Sequence, residues 1–245
     1  MKIGILSDIH GNLEALNSSI DFLGDKTDFI VSLGDAVGYG PDPVQCMDIL
    51  SERRFSNLRG NHEECLLKDD FSRLKETARI SLEWTKKELS PFHIRQFEKW
   101  PLTARREGAF FAHASISDPL YRYVLTGKDA EEEFSFLEDK ICFIGHTHAP
   151  GGFRHEIITG KTEVIFPDFS GCMKIKTEEN YRYIINAGSV GQPRDGFPFA
   201  CVVIYDTEEK SVNLSRIEYR LEATRKKIIE SGLPSVLAKR IMQAI

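Results

Sequence analysis

Asp8 and His10 stand two residues apart in SDIHGN. On extended backbone, side chains at i and i+2 point the same way, so a carboxylate and an imidazole can share one cation there. The plainer use of the pair is an aspartate helix cap beside a surface histidine. Asp35 follows Gly34 in LGDAVGYG. Its two oxygens could bridge two cations, although a lone Gly-Asp is more often a turn. RGNHE sets Asn61 next to His62. Adjacent side chains diverge, so Asn61 can offer an amide oxygen to a metal while His62 faces a substrate and moves a proton. His113 follows AFFA, where a single histidine is more often a hydrogen-bonded core residue. His146 and His148 repeat the two-residue spacing in GHTH, a more specific metal signal.

The combination outweighs the separate plain readings. The chain has seven histidines, and only His93 and His155 fall outside these segments. Oxygen and imidazole donors without a thiolate favour Mn²⁺, Fe²⁺, Ni²⁺ or Zn²⁺ over Ca²⁺ or a structural zinc. Arg194, in GQPRDG, is a candidate contact for a substrate phosphate. An ion pair with its neighbour Asp195 is the competing use. Arg122 and Tyr39 are weaker candidates.

Each of the five segments follows a run that reads as a strand: 2–7, 28–33, 55–58, 109–112 and 141–144. In open α/β folds ligands bind outside the carboxyl ends of strands, so one rim would collect these side chains. Helical spacing covers 13–23, with Gly24 as a stop, and 43–53. Gly11 and Asn12 would let the chain turn closely into the first helix, whose N-terminus favours phosphate. Residues 63–100 are charged with apolar residues at helical spacing, and Ser90-Pro91 is a helix start. Two helices are expected there, as a cap-like segment over about 65–100. Residues 153–205 read as antiparallel strands with a turn near Thr159-Gly160. A strand at 212–219 follows, then a helical tail at about 221–245, interrupted at Gly232-Leu233-Pro234. The expected architecture is an α/β sandwich of two packed sheets flanked by helices.

At 245 residues, a single domain spanning 1–245 is the natural expectation. Its hydrophobic fraction of 41% is enough for a full core. A formal net charge of −5 argues against a stable nucleic-acid partner or an anionic membrane surface, both of which need basic faces. No segment approaches the roughly 20 apolar residues of a membrane helix, and no secretory signal opens the chain. Cys46, Cys65, Cys142, Cys172 and Cys201 are odd in number, dispersed and without a CxxC pair. They fit reduced thiols and a cytoplasmic location.

The order DxH…GD…GNH[ED]…H…GHTH over residues 7–148 resembles the calcineurin-like metallophosphoesterase superfamily. NAGSVGQPRDG (Asn186 to Gly196) and the tail around GLP resemble its compact bacterial phosphodiesterase-like branch. The resemblance implies a four-layer-type β-sandwich of two mixed sheets flanked by helices, holding two divalent metals. Mn²⁺ is the first expectation, with Fe²⁺, Ni²⁺ or Zn²⁺ as alternatives. It further implies that Asp8, His10 and His148 bind one metal, that Asn61, His113 and His146 bind the other, and that Asp35 bridges them. A hydroxide bridging the two metals would attack phosphorus, and His62 would protonate the leaving oxygen. The implied activity is hydrolysis of a small phosphorylated substrate by a phosphodiesterase. A phosphomonoesterase and a dinucleoside polyphosphate hydrolase are the alternatives. Protein phosphatases of the superfamily carry GDxVDRG where this chain has GDAVGYG. A metal-binding scaffold is the non-enzyme alternative, against which the filled His62 position argues.

Overall fold

The computed structural model describes residues 1–52 and 55–245. One six-stranded sheet contains β1 (Lys2–Leu6), β2 (Phe29–Ser32), β3 (Phe55–Asn57), β9 (Met173–Lys176), β11 (Ala200–Asp206) and β12 (Ser211–Ile217), in the order β3-β2-β1-β11-β12-β9. The other contains β4 (Thr103–Arg106), β5 (Ala109–Ala112), β6 (Ile141–Ile144), β7 (Gly151–Glu156), β8 (Thr162–Ile165) and β10 (Tyr181–Asn186), in the order β4-β5-β6-β10-β7-β8.

Period-2 alternation builds the layers. Ile3 and Ile5 of β1, Val203 and Tyr205 of β11, Phe111 of β5 and Phe143 of β6 point into one core between the sheets. Phe111 and Phe143 stack there at 5.5 Å. Residues of opposite parity face helices. Leu6 and Val202 meet α1 (Leu13–Leu23) and α2 (Pro43–Glu52) on one flank. Phe110, Cys142 and Ile144 meet α6 (Gly127–Phe134) on the other. Both faces of the central strands are therefore buried, which is why they read as near-continuous apolar runs. Each fully buried Ile or Phe contributes roughly 1.5–3 kcal/mol. The result is the expected α/β sandwich of two mixed sheets between helical layers.

Several elements depart from the sequence reading. Residues 61–97 form three helices rather than two: α3 (Asn61–Lys68), α4 (Glu76–Glu88) and α5 (Pro91–Phe97). The extra break follows α3, where Asp69 turns left-handed (φ 51°) and its N–H caps the Cys65 carbonyl. The region 153–205 is not one antiparallel run. β10 pairs antiparallel with β7 but parallel with β6, while β9 and β11 lie in the other sheet. β4 and α6 were not anticipated, although Thr126 and Asp129 form a reciprocal capping box that starts α6. The second helix ends at Glu52; its expected last residue, 53, lies outside the described residues. The tail forms α7 (Leu221–Glu230) and α8 (Ser235–Gln243), parted at Gly232-Leu233-Pro234 as expected. All five cysteines are free. Among the described residues no helix is long and apolar enough to cross a membrane.

β1, β2 and β3 run parallel in the first sheet, and β5, β6 and β10 run parallel in the second. The loops that leave their carboxyl ends meet across the sandwich. Asp8 after β1 accepts the backbone N–H of His146 after β6 at 2.9 Å. The loop after β10 closes the rim, with Val190 N–H donating to the Ser7 carbonyl and Gly191 N–H to that of Asp8, both at 2.9 Å.

Candidate metal centre

The seven predicted ligands converge on this rim, and all are buried. The donor atoms of Asp8, His10 and His148 lie within 4.8 Å of one another, as do those of Asp35, His113 and His146. Asn61 joins the second group, its Oδ1 standing 3.1 Å from His113 Nε2. Asp35 Oδ2 lies between the groups, 3.8 Å from His10 Nε2 and 3.5 Å from His113 Nε2.

The backbone that achieves this is not the extended chain assumed for the i, i+2 pairs. Asp8, His10, Asp35, His146 and His148 all have positive φ, between 49° and 63°. Left-handed non-glycine residues cost of order 1–3 kcal/mol each, and such strain gathers at functional sites. One consequence is that His146 and His148 part company. His148 faces Asp8 and His10, while His146 faces His113.

Two glycines let the loops approach. A Cβ on Gly145 would run into Ser7 Oγ and Asp8 Oδ2, and one on Gly60 would run into Asp35 Oδ1. Gly60 also precedes α3, whose third residue, Glu63, is fully buried. Its carboxylate accepts N–H groups from Gly60, Asp35 and Ala36, each at 2.8 Å. In the sequence Glu63 stands only as the last residue of RGNHE. The helix-start signal of an acidic residue three positions after the cap was the clue to its role.

The arrangement fits divalent cations on grounds internal to the molecule. His10 donates from Nδ1 to the Val37 carbonyl at 3.1 Å, and His148 donates from Nδ1 to that of Gln192 at 2.6 Å. Their Nε2 lone pairs consequently face each other at 3.1 Å, which is repulsive unless a cation is shared. Asp8 Oδ1 is buried 3.2 Å from His148 Nε2 and has no hydrogen-bond donor. Its other oxygen is occupied by Ser7 Oγ at 2.6 Å and His146 N. Such carbonyl-anchored imidazoles are how metal-binding histidines are oriented.

Electrostatics points the same way. Burial, with the charges of Glu63 and Asp8, drives the Asp35 carboxyl well above the ordinary range. Burial likewise raises Glu63 to about 7 against the pull of its backbone donors. Burial lowers His10 to about 4, His146 to about 4 and His113 to about 3. His62 and His148 are lowered too, again chiefly by burial. The imidazoles are neutral at pH 7 and ready to ligate.

His62 lies inside the cluster rather than beyond it. Its Nδ1 donates to the Val37 carbonyl at 3.0 Å, and its Nε2 is 3.8 Å from Asp35 Oδ2. The Tyr39 ring packs on His10 and His62, with centroids 4.7 and 4.9 Å away. A cavity of about 540 Å³ opens over Asp35, Asn61, His62, His146 and His148. Tyr39 and Arg194 line it. Arg194 does not pair with Asp195, which binds Arg216 instead. It donates to Gln192 Oε1 at 2.9 Å and lies over the Tyr39 ring. Arg122 does not line the cavity. It is held by Glu132 and Glu133. Tyr121 and Tyr123, which carry no signal in the sequence, also border the cavity, and the Tyr123 ring packs tilted against His146, with centroids 4.2 Å apart.

Comparison with known proteins bears on the family and the fold. The family model of the calcineurin-like phosphoesterase superfamily domain matches residues 1–210. An uncharacterized protein of Methanocaldococcus jannaschii is 30% identical over 98% of this chain and 96% of its own length. The crystal structure of a metallophosphoesterase from Sphaerobacter thermophilus superposes with a TM-score of 0.86, at 31% identity, covering 100% of this chain and 99% of that one. A hypothetical protein from Pyrococcus horikoshii OT3 shares the fold, with a TM-score of 0.77 at 16% identity over 98% of this chain and 97% of that one.

Proposed function

The chain belongs to the calcineurin-like phosphoesterase superfamily, and from that premise we propose that it is a phosphodiesterase acting on a small phosphorylated substrate. It is a hydrolase of phosphate esters; the preference for diesters and the roles of individual residues are our reading. Asp8, His10 and His148 would hold one divalent cation, Asn61, His113 and His146 the other, and Asp35 both. The observation that carries this is the position of Asp35 Oδ2 between two sets of donors whose lone pairs converge.

Bound there, two divalent cations supply Lewis acidity, which makes water a better nucleophile at neutral pH and offsets charge on the phosphoryl oxygens. Imidazole, carboxylate and amide donors without thiolate suit Mn²⁺, with Fe²⁺, Ni²⁺ or Zn²⁺ compatible. The protein's own groups do the rest. Arg194 draws the phosphate over the donor cluster. Glu63 fixes the loop that carries Asp35. His62, with Nδ1 committed to Val37, presents Nε2 to the floor of the cavity. A phosphate anion beside it raises its proton affinity. Nε2 therefore gains a proton from solvent as the substrate binds; as the water oxygen bonds to phosphorus and the ester P–O bond breaks, the leaving oxygen takes that proton from Nε2, and the attacking water releases its own to solvent, leaving His62 neutral again. A cavity of about 540 Å³ supports the diester reading, since it has room for an organic group on each side of the phosphate.

The test is Mn²⁺-reconstituted protein screened against phosphomonoesters, cyclic nucleotides, linear diesters and dinucleoside polyphosphates. A diester should give the highest kcat/KM. A monoester-to-diester ratio above one overturns the phosphodiesterase reading, and turnover of no ester overturns the functional reading as a whole.

A further inference from the structure

Part of the lining of the cavity is cationic. Arg73 and Lys75 reach it from the connection between α3 and α4, and Arg240 reaches it from α8. None of the three makes an ion pair with a carboxylate among the described residues. Other arginines of the fold are paired with carboxylates, as Arg154 is with Glu163, Arg216 with Asp195 and Arg59 with Glu64. The chain as a whole carries −5, so the gathering of these cations in one cavity runs against its overall charge. Arg73 is also held in place, its guanidinium lying over the Tyr121 ring at 4.6 Å. With Arg194, four cations line a space whose floor would bind a single phosphate. Like charges so placed repel one another, and a bound anion relieves that repulsion.

We propose that Arg73, Lys75 and Arg240 bind a second phosphate of the substrate, one that is not cleaved. This inference rests on the phosphoesterase reading of the same cavity. Two substrate types share the chemistry: a chain of anhydride-linked phosphates, and a diester that carries a separate terminal phosphate. Arginine and lysine recognise both, arginine by a two-point contact and lysine as a point charge.

The test compares wild type with Arg73→Ala/Lys75→Ala and with Arg240→Ala, each reconstituted with Mn²⁺. Three substrates are used: a nucleoside diphosphate, a dinucleotide with a 5′-terminal phosphate, and bis(p-nitrophenyl) phosphate. The readout is kcat/KM for each two-phosphate substrate relative to bis(p-nitrophenyl) phosphate. Loss of a charge-assisted contact should lower that ratio about tenfold or more. The substrate whose ratio falls identifies the source of the second phosphate. Turnover with both ratios unchanged overturns the proposal while leaving the phosphoesterase reading intact. If wild type turns over none of the three, the phosphoesterase reading is left to the broader ester screen, and calorimetric titration decides the wall. Pyrophosphate affinity about tenfold weaker in the variants, with orthophosphate affinity much less affected, supports it. Equal losses for the two anions overturn it.

Discussion

Glu63 Oε2 accepts the backbone N–H of Asp35 at 2.8 Å, tying the start of α3 to the loop that carries the central carboxylate. The same oxygen accepts Gly60 N–H, and Oε1 accepts Ala36 N–H. Glu63→Gln replaces one acceptor with an NH₂ group that faces backbone donors. An unsatisfied buried donor costs about 1–3 kcal/mol. The variant should lose stability by that amount in urea unfolding, and should bind metal more weakly because Asp35 is no longer positioned. Unchanged metal affinity alongside lost stability would confine Glu63 to folding.

Removing metal should matter more than removing any one side chain. Chelation leaves the facing lone pairs of His10 and His148, 3.1 Å apart, without a shared cation. Hydrolysis should stop and return with Mn²⁺. At ligand concentrations near a hundred times Kd, a bound ion adds about 2.7 kcal/mol. For a chain of this size that is roughly 5–10 °C in Tm. Asp35→Asn should reduce the bound metal measured by elemental analysis from two ions per chain to one or none. Two ions retained by that variant would remove Asp35 from its bridging position.

How these residues come together was only partly legible in the sequence. The strands preceding the site announced themselves as apolar runs because both faces of each are buried, as for Ile3 and Ile5 against Leu6. The convergence of His113 with His146 followed from their places after parallel neighbours, β5 and β6. The division of GHTH between two donor groups did not follow from spacing. It depends on left-handed backbone at His146 and His148, which local sequence does not encode and long-range hydrogen bonds impose, such as His146 N to Asp8 Oδ2. The cationic wall was hidden for a similar reason. Arg73 and Arg240 are distant in sequence, and only the packing of α8 near the α3–α4 connection sets them around one cavity.

Acid should destabilise the metal-free protein. Burial lowers His10, His113, His146, His62 and His148, so between pH 6.5 and about 4 the unfolded chain binds protons that the folded one refuses. Their contribution is fully present above pH 6.5 and is lost on acidification. Asp35 and Glu63, both raised, act in the opposite sense, because the folded state holds their protons longer as pH rises. Five imidazoles outweigh two carboxyls, so the net slope is positive. Calorimetric Tm of chelator-treated protein should fall by several degrees from pH 7 to pH 5.5. A flat or rising Tm would mean that the folded imidazoles are already protonated.

The proton-donor role of His62 predicts a dependence on the leaving group. An alkoxide departs only if it is protonated, and a placed general acid contributes about 10²–10⁴-fold. A p-nitrophenolate leaves without help. His62→Ala should therefore slow hydrolysis of an alkyl diester by about that factor, while bis(p-nitrophenyl) phosphate is affected far less. The nearness of His62 Nε2 to Asp35 Oδ2, 3.8 Å, offers a rival explanation in which the substitution simply disturbs metal binding. The two explanations separate on the leaving group, since lost metal slows both substrates alike. They separate again on metal content, which the proton-donor role leaves at the wild-type value. Equal slowing of the two esters would remove His62 from proton transfer and assign it to holding the centre together.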